Sequence, residues 1–122
     1  MSRIVLQFLI VLFAASTVVA DDDRQLVAKG AKVEKLAGGM KFTEGPVWLP
    51  SEKKLVFSDI PNSKLMQWSE ADGLSVYRDS EQANGNILDL QGRIISCQHK
   101  ARNVIRIEAD GSTTLLADRF DG

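Results

Sequence analysis

"EGPVWLPSEKKLVFSD", Glu44–Asp59, can be laid over "NGNILDLQGRIISCQH", Asn84–His99, at an offset of 40. Gly45 then meets Gly85, Val47 meets Ile87, Leu55 meets Ile95 and Phe57 meets Cys97. Beyond these stretches, an offset of 39 sets Met66 and Trp68 on Ile105 and Ile107, and an offset of 38 sets Asp72-Gly73 on Asp110-Gly111. Identities are few, so the repeat is one of pattern. A four-strand unit recurring at about 40 residues is the period of a β-propeller blade. The plainer alternative is a generic antiparallel meander.

The strands of that unit are short β-prone runs separated by turn residues. They are "PVWL", "KLVFSD", "KLMQWS", "LSVYRD", "NILDL", "RIISCQ", "NVIRIEA" and "TTLLAD". Between them fall Pro50-Ser51, Pro61-Asn62, Asp72-Gly73, Gln91-Gly92 and Asp110-Gly111. Asp-Gly suits a tight hairpin because both residues tolerate positive φ. No long helical pattern interrupts the series. The expectation is an all-β chain with two four-stranded blades over residues 44–122, a partial propeller. Blades bury their faces on neighbouring blades, and a ring needs at least ~4 of them. Trp48, Trp68, Met66, Phe57 and Ile107 are therefore expected to lack much of their cover. On this reading the sequence is the N-terminal part of a larger protein, or a truncated product.

Residues 1–20 have a different character. Met1-Ser2-Arg3 is basic, Ile4–Ala15 is uncharged and almost wholly apolar, and Val18-Val19-Ala20 ends in small residues before Asp21-Asp22-Asp23. That is the order of a secretory signal peptide cleaved after Ala20. A membrane anchor is the alternative, but the apolar run falls short of the ~20 residues that span a bilayer. Export to the periplasm or beyond the cell is expected. Residues 21–43 form an N-terminal segment in which Leu26, Val33 and Leu36 fit a helical face that Gly30 and Gly38-Gly39 weaken. A strand completing another blade fits equally.

Charge is close to balance, with 15 basic and 16 acidic residues. No basic stripe suits nucleic acid, and no basic amphipathic helix suits a lipid surface. Cys97 is the single cysteine, which excludes an intrachain disulfide. Among Ile94, Ile95 and Ser96 it reads as a buried, inert strand thiol. No paired Cys/His spacing supports structural zinc. Glu44 is the anomaly. A carboxylate before an apolar strand costs free energy unless it is solvated, paired or bound to a cation.

The Glu-Gly-Pro-x-Trp run at Glu44–Trp48 and Phe-Ser-Asp-Ile-Pro at Phe57–Pro61, in this order and spacing, resemble the N-terminal third of the gluconolactonase, or SMP-30-like, family. "ANGNILDLQGRIISCQHKARNVIRI" and "DGSTTLLADRFDG" continue the likeness, which covers about residues 31–122. The resemblance implies a six-bladed propeller, a divalent cation at the mouth of its channel, and hydrolysis of sugar lactones or related esters. Ca²⁺ is the first expectation for the cation, with Zn²⁺ or Mg²⁺ as alternatives. Carried over, the motif carboxylate makes Glu44 a metal ligand, against the plain reading of a solvated loop glutamate. Hard cations favour such oxygen donors. The family's other ligands, an asparagine and an aspartate, would match segments beyond Gly122, and so would the aspartate expected as general base. No catalytic residue is assigned within this sequence.

Two further residues are candidates. Asn84 holds in the second blade the slot of Glu44 in the first, although Asn84-Gly85 also reads as a hairpin turn. His99 follows the second strand of that blade, where related lactonases have a similar Cys-x-His, and is a candidate substrate contact or a merely exposed side chain. Asp59 is expected to cap the turn before Pro61. The leading expectation is an exported, metal-dependent lactone hydrolase, inactive as this chain alone, whose partners are a sugar lactone or related ester and the remaining blades. The second is a non-catalytic propeller that binds a sugar or another protein.

Overall fold

The computed structural model describes residues 27–119. The segment read as an export signal lies outside them. The chain divides into two compact units, 1–34 and 35–122. In the first, the described residues form a turn in which the Ala31 N–H donates to the Ala28 carbonyl at 3.0 Å. Residues 27–42 carry neither helix nor strand.

The second unit holds eight strands: β1 Thr43–Leu49, β2 Lys54–Asp59, β3 Lys64–Ser69, β4 Gly73–Asp79, β5 Ala83–Leu88, β6 Ile94–Gln98, β7 Asn103–Ile107 and β8 Thr113–Ala117. They form two antiparallel sheets, β1-β2-β3-β4 and β5-β6-β7-β8, each in sequence order. The connections within each sheet are only three to five residues long, which is why turn residues recur so regularly. Gly73 and Gly111 take φ of 67° and 82°, as the Asp-Gly turns require. Asn84-Gly85 is not a turn. Both residues lie inside β5, where Gly85 pairs with Cys97 and Asn84 is the extra residue of a bulge.

Side chains alternate across a strand, so each sheet has two faces. One face of the first sheet carries Val47, Val56 and Leu65, with Val56 0% exposed and Leu65 1%. It packs on a face of the second sheet that carries Ile94, Ile105 and Ile107, and together they form the core. Burying such a side chain contributes roughly 1.5–3 kcal/mol. The opposite face of the first sheet holds the cross-strand rows Trp48, Leu55, Trp68 and Phe57, Met66, Val76. Trp48 is 48% exposed and Val76 50%. Ile107, expected to lack cover, is buried because it lies on the face that meets the first sheet. Cys97 is exposed, because it lies on the far face of the second sheet, and the expectation of a buried thiol is overturned.

The strand pairing refines the repeat. Val47 pairs with Val56, and Ile87 with Ile95. Since Val47 stands on Ile87, Val56 stands on Ile95, an offset of 39 where the sequence alignment gave 40 for this strand. Bulges fall at matching places in the outer pairs, between Leu65 and Met66 and between Val104 and Ile105. These propeller-like sheets meet most closely where β5 packs on β1 and β2.

Candidate functional site

The short Glu44-Gly45-Pro46 segment interrupts the ladder of β1, whose register shifts between Glu44 and Val47. Gly45 has φ of 57°, which favours glycine. A Cβ there would lie 2.3 Å from the Asn84 carbonyl oxygen, so the inner strands of the two sheets touch at this point. Glu44 and Asn84 thereby come to the same end of the sheets, each beside a bulge.

Between the sheets lies a buried polar bridge. The Asn86 amide Nδ2 donates to the Gly45 carbonyl at 2.9 Å and to Ser58 Oγ at 3.0 Å. Ser96 Oγ donates to Asn86 Oδ1 at 2.7 Å. Ser58 and Ser96 are 0% and 1% exposed, and a buried hydroxyl needs such partners. Asp59, 2% exposed, accepts from the Lys41 and Phe42 N–H groups at 3.1 and 3.3 Å and from Asn62 Nδ2 at 2.7 Å. It caps no backbone N–H of the 3-10 turn Ile60–Asn62 and touches that turn only through the Asn62 amide. Its carboxylate chiefly ties the chain entering β1 to the end of β2, so the expected cap is replaced by this link and one side-chain bond to the turn.

Asn84 and His99 line one open cavity of about 480 Å³, with Cys97, Arg102 and Asn103. It opens on the face of the second sheet turned away from the first. The His99 N–H donates to the Gln82 carbonyl at 3.1 Å, extending the β5–β6 ladder one step and fixing the residue at the cavity rim. Asn103 Oδ1 is buried with no hydrogen-bond partner. Arg102, in left-handed conformation at φ 55°, was not a sequence candidate. Nor were Asn86 and Asn103. A polar residue inside an apolar strand was the available signal for Asn86. Amide, imidazole and guanidinium groups around one cavity can hydrogen-bond a polyhydroxy or carbonyl-bearing small molecule.

Glu44 does not line this cavity. It is exposed, and its carboxylate makes no hydrogen bond or ion pair among the described residues. Its oxygens are therefore available to a hard cation, but Ca²⁺ takes six to eight oxygen ligands and one carboxylate is a small part of that set. Among the described residues no group of three His, Cys, Asp or Glu side chains is placed to hold a metal. They fit a single ligand and not a complete cation site.

The charged cluster lies at the other end of the second sheet. Arg93 Nη2 is 2.7 Å from Asp89 Oδ2, and Arg93 Nη1 is 3.2 Å from Glu108 Oε2. Partial desolvation pushes the Asp89 carboxyl up, but hydrogen bonds from the backbone and side chain of Arg93 outweigh it and hold it below its ordinary value. Glu108 is held down chiefly by the Arg106 side chain and then by Thr114.

Consecutive four-stranded antiparallel sheets, stacked through unlike faces and meeting at their first strands, define a chain of the propeller-like all-β class. The SMP-30/gluconolactonase/LRE-like region model matches residues 42–122, and the chain belongs to that family. Seven solved chains match it. One, a gluconolactonase from Xanthomonas campestris described as important in glucose secondary metabolic pathways, is 34% identical with a TM-score of 0.64. That match covers 68% of this chain and 28% of the other. A second, described provisionally as a gluconolactonase, is 35% identical with a TM-score of 0.72, over 78% of this chain and 33% of its own. The chain thus spans about a third of the length of these structures. No curated protein matches it.

Proposed function

We propose that this chain supplies two blades to an exported, six-bladed lactone hydrolase. Support comes from the family match over residues 42–122 and from the likeness to gluconolactonase structures. The observation that carries the substrate side is the shared cavity of Asn84 and His99. There the Asn84 amide and the His99 imidazole hold a sugar lactone by its hydroxyl and carbonyl oxygens. Glu44 contributes one oxygen ligand to a divalent cation, Ca²⁺ in the first instance. Bound at such a site, a cation polarises a carbonyl and makes water more acidic. In this proposal Asn84 and His99 bind the substrate and Glu44 the cation, while the general base and the other ligands lie outside residues 42–122. Among the described residues no helix is long and apolar enough to cross a membrane.

The test follows proton release from a sugar lactone with the protein extended to the length of its relatives, with and without added Ca²⁺. Hydrolysis that depends on the cation is expected, with Glu44→Gln weakening cation affinity by about ten-fold or more. Full activity and unchanged cation binding in Glu44→Gln would remove Glu44 from the metal site. Lactone binding without hydrolysis in the extended protein would favour a non-catalytic sugar-binding propeller, the reading that the cavity alone also supports.

A further inference from the structure

We infer that Asn86 is a positioning residue for Glu44. From the second sheet it holds two groups that flank Glu44, the Gly45 carbonyl and the Ser58 hydroxyl, and thereby sets the direction in which the Glu44 carboxylate is presented. The inference rests on the proposed role of Glu44 as an oxygen ligand and goes beyond it by naming what aims that ligand.

The Glu44 carboxylate makes no bond of its own among the described residues, so its direction follows from the backbone that carries it. That backbone is not secured by the first sheet alone. Glu44 pairs with Ser58, and the register then shifts before Val47. Pro46, inside the shift, has no N–H to donate. The Gly45 carbonyl, one residue from Glu44, is fixed from the other sheet by the Asn86 amide at 2.9 Å. The same amide reaches the hydroxyl of Ser58, the cross-strand partner of Glu44, at 3.0 Å. Phe42 is held on the other side of Glu44. Its N–H donates to Asp59 Oδ1 at 3.3 Å and its carbonyl accepts from the Ile60 N–H at 3.1 Å. With the chain fixed before and after it, Glu44 keeps only its side-chain torsions.

The orientation of Asn86 is determined in turn. A backbone carbonyl only accepts, so the atom facing Gly45 must be the amide nitrogen. Oδ1 then faces Ser96, whose hydroxyl donates to it at 2.7 Å. Ser58 and Ser96 are buried, so these bonds act in a low dielectric without competition from water. All of these partners lie at the internal contact of the two sheets. A ligand held in its bound direction beforehand loses less freedom when a cation arrives. Groups that orient a metal ligand contribute about ten- to hundred-fold in affinity.

Calorimetric titration with Ca²⁺ of the protein extended to the length of its relatives tests the inference. Asn86→Ala should weaken Ca²⁺ binding by about ten-fold while the circular dichroism spectrum stays that of the parent. Added to Glu44→Gln it should weaken binding no further, because it acts through Glu44. Ser96→Ala leaves the amide in place but removes the donor that orients it, and should weaken binding by a smaller factor. Ile94→Ala truncates the core at the other end of the second sheet, where Ile94 is 3% exposed, and should bind Ca²⁺ as the parent does. That control separates aim from stability. If Asn86→Ala does not fold, Ser96→Ala decides in its place. Parent affinity in the deciding variant, with Glu44→Gln weakened, would overturn the inference and leave Glu44 a ligand. So would an equal loss from Asn86→Ala with and without Glu44→Gln, or the same loss in Ile94→Ala. Undiminished affinity in Glu44→Gln would overturn the reading of Glu44, and this inference with it.

Discussion

Gly45 concentrates several demands on one residue. Its φ of 57° disfavours any side chain, and the Asn84 carbonyl of the neighbouring sheet leaves no room for one. Its own carbonyl accepts from Asn86. Gly45→Ala should therefore destabilise the fold by about 3 kcal/mol, from overpacking and left-handed strain together, read as a fall in the urea midpoint. Asn86 is the other residue that neither sheet can do without. Asn86→Ala leaves Ser58, Ser96 and the Gly45 carbonyl short of a partner, at a cost of about 2 kcal/mol or more. The loss should be non-additive. Ser96→Ala added to Asn86→Ala should cost less than it does alone, because its acceptor has already gone. Equal costs in the two backgrounds would show that the bridge does not act as a unit.

At the scale of the element, the turns of the second sheet are held by charge. Asp89 Oδ1 accepts from the Gln91 and Arg93 N–H groups, both at 2.9 Å, while Arg93 reaches across to Glu108 at the β7–β8 turn. Both carboxyl groups sit below their ordinary values of 3.8 and 4.5. A depressed folded value means that the unfolded chain binds the proton first, so the stabilisation is complete above the ordinary values and is lost as pH falls through the folded ones. The urea midpoint should be flat above about pH 5 and fall below about pH 4.5. Arg93→Met should lower the plateau and flatten that fall. An acid limb of unchanged steepness would place the pH dependence elsewhere.

The same elements mark how far sequence reached. Strand β3 is legible to its ends because the run Lys64–Ser69, apolar at Leu65, Met66 and Trp68, falls between the turn residues Pro61-Asn62 and Asp72-Gly73. Strand β5 is not, because Asn-Gly signals a turn only when the residues flanking it pair with each other. Here Ala83 and Asn86 pair instead with Gln98 and Ser96, a long-range choice that local chemistry does not encode. Cys97 failed for a related reason. Alternation identifies the two faces of a strand but not which of them meets a neighbour. At the candidate site, Asn84 was reached through its repeat position and His99 through the family likeness. Asn86 was not, since its partner Ser58 is 28 residues away and is brought to it only when the sheets stack.

The molecule as a whole has two sheets whose cover is unequal, and that inequality governs its stability. One interface buries Val56 and Leu65 almost completely, so truncation there, as in Leu65→Ala, should cost about 2–5 kcal/mol and unfold both sheets together. The two outer faces contribute little until something covers them. Ile87 lies on one of them, 64% exposed, so Ile87→Glu should leave the stability read from the urea midpoint within about 0.5 kcal/mol of the parent's. A fall as large as that of Leu65→Ala would mean that the outer face already carries part of the stability and that the buried interface does not set it alone.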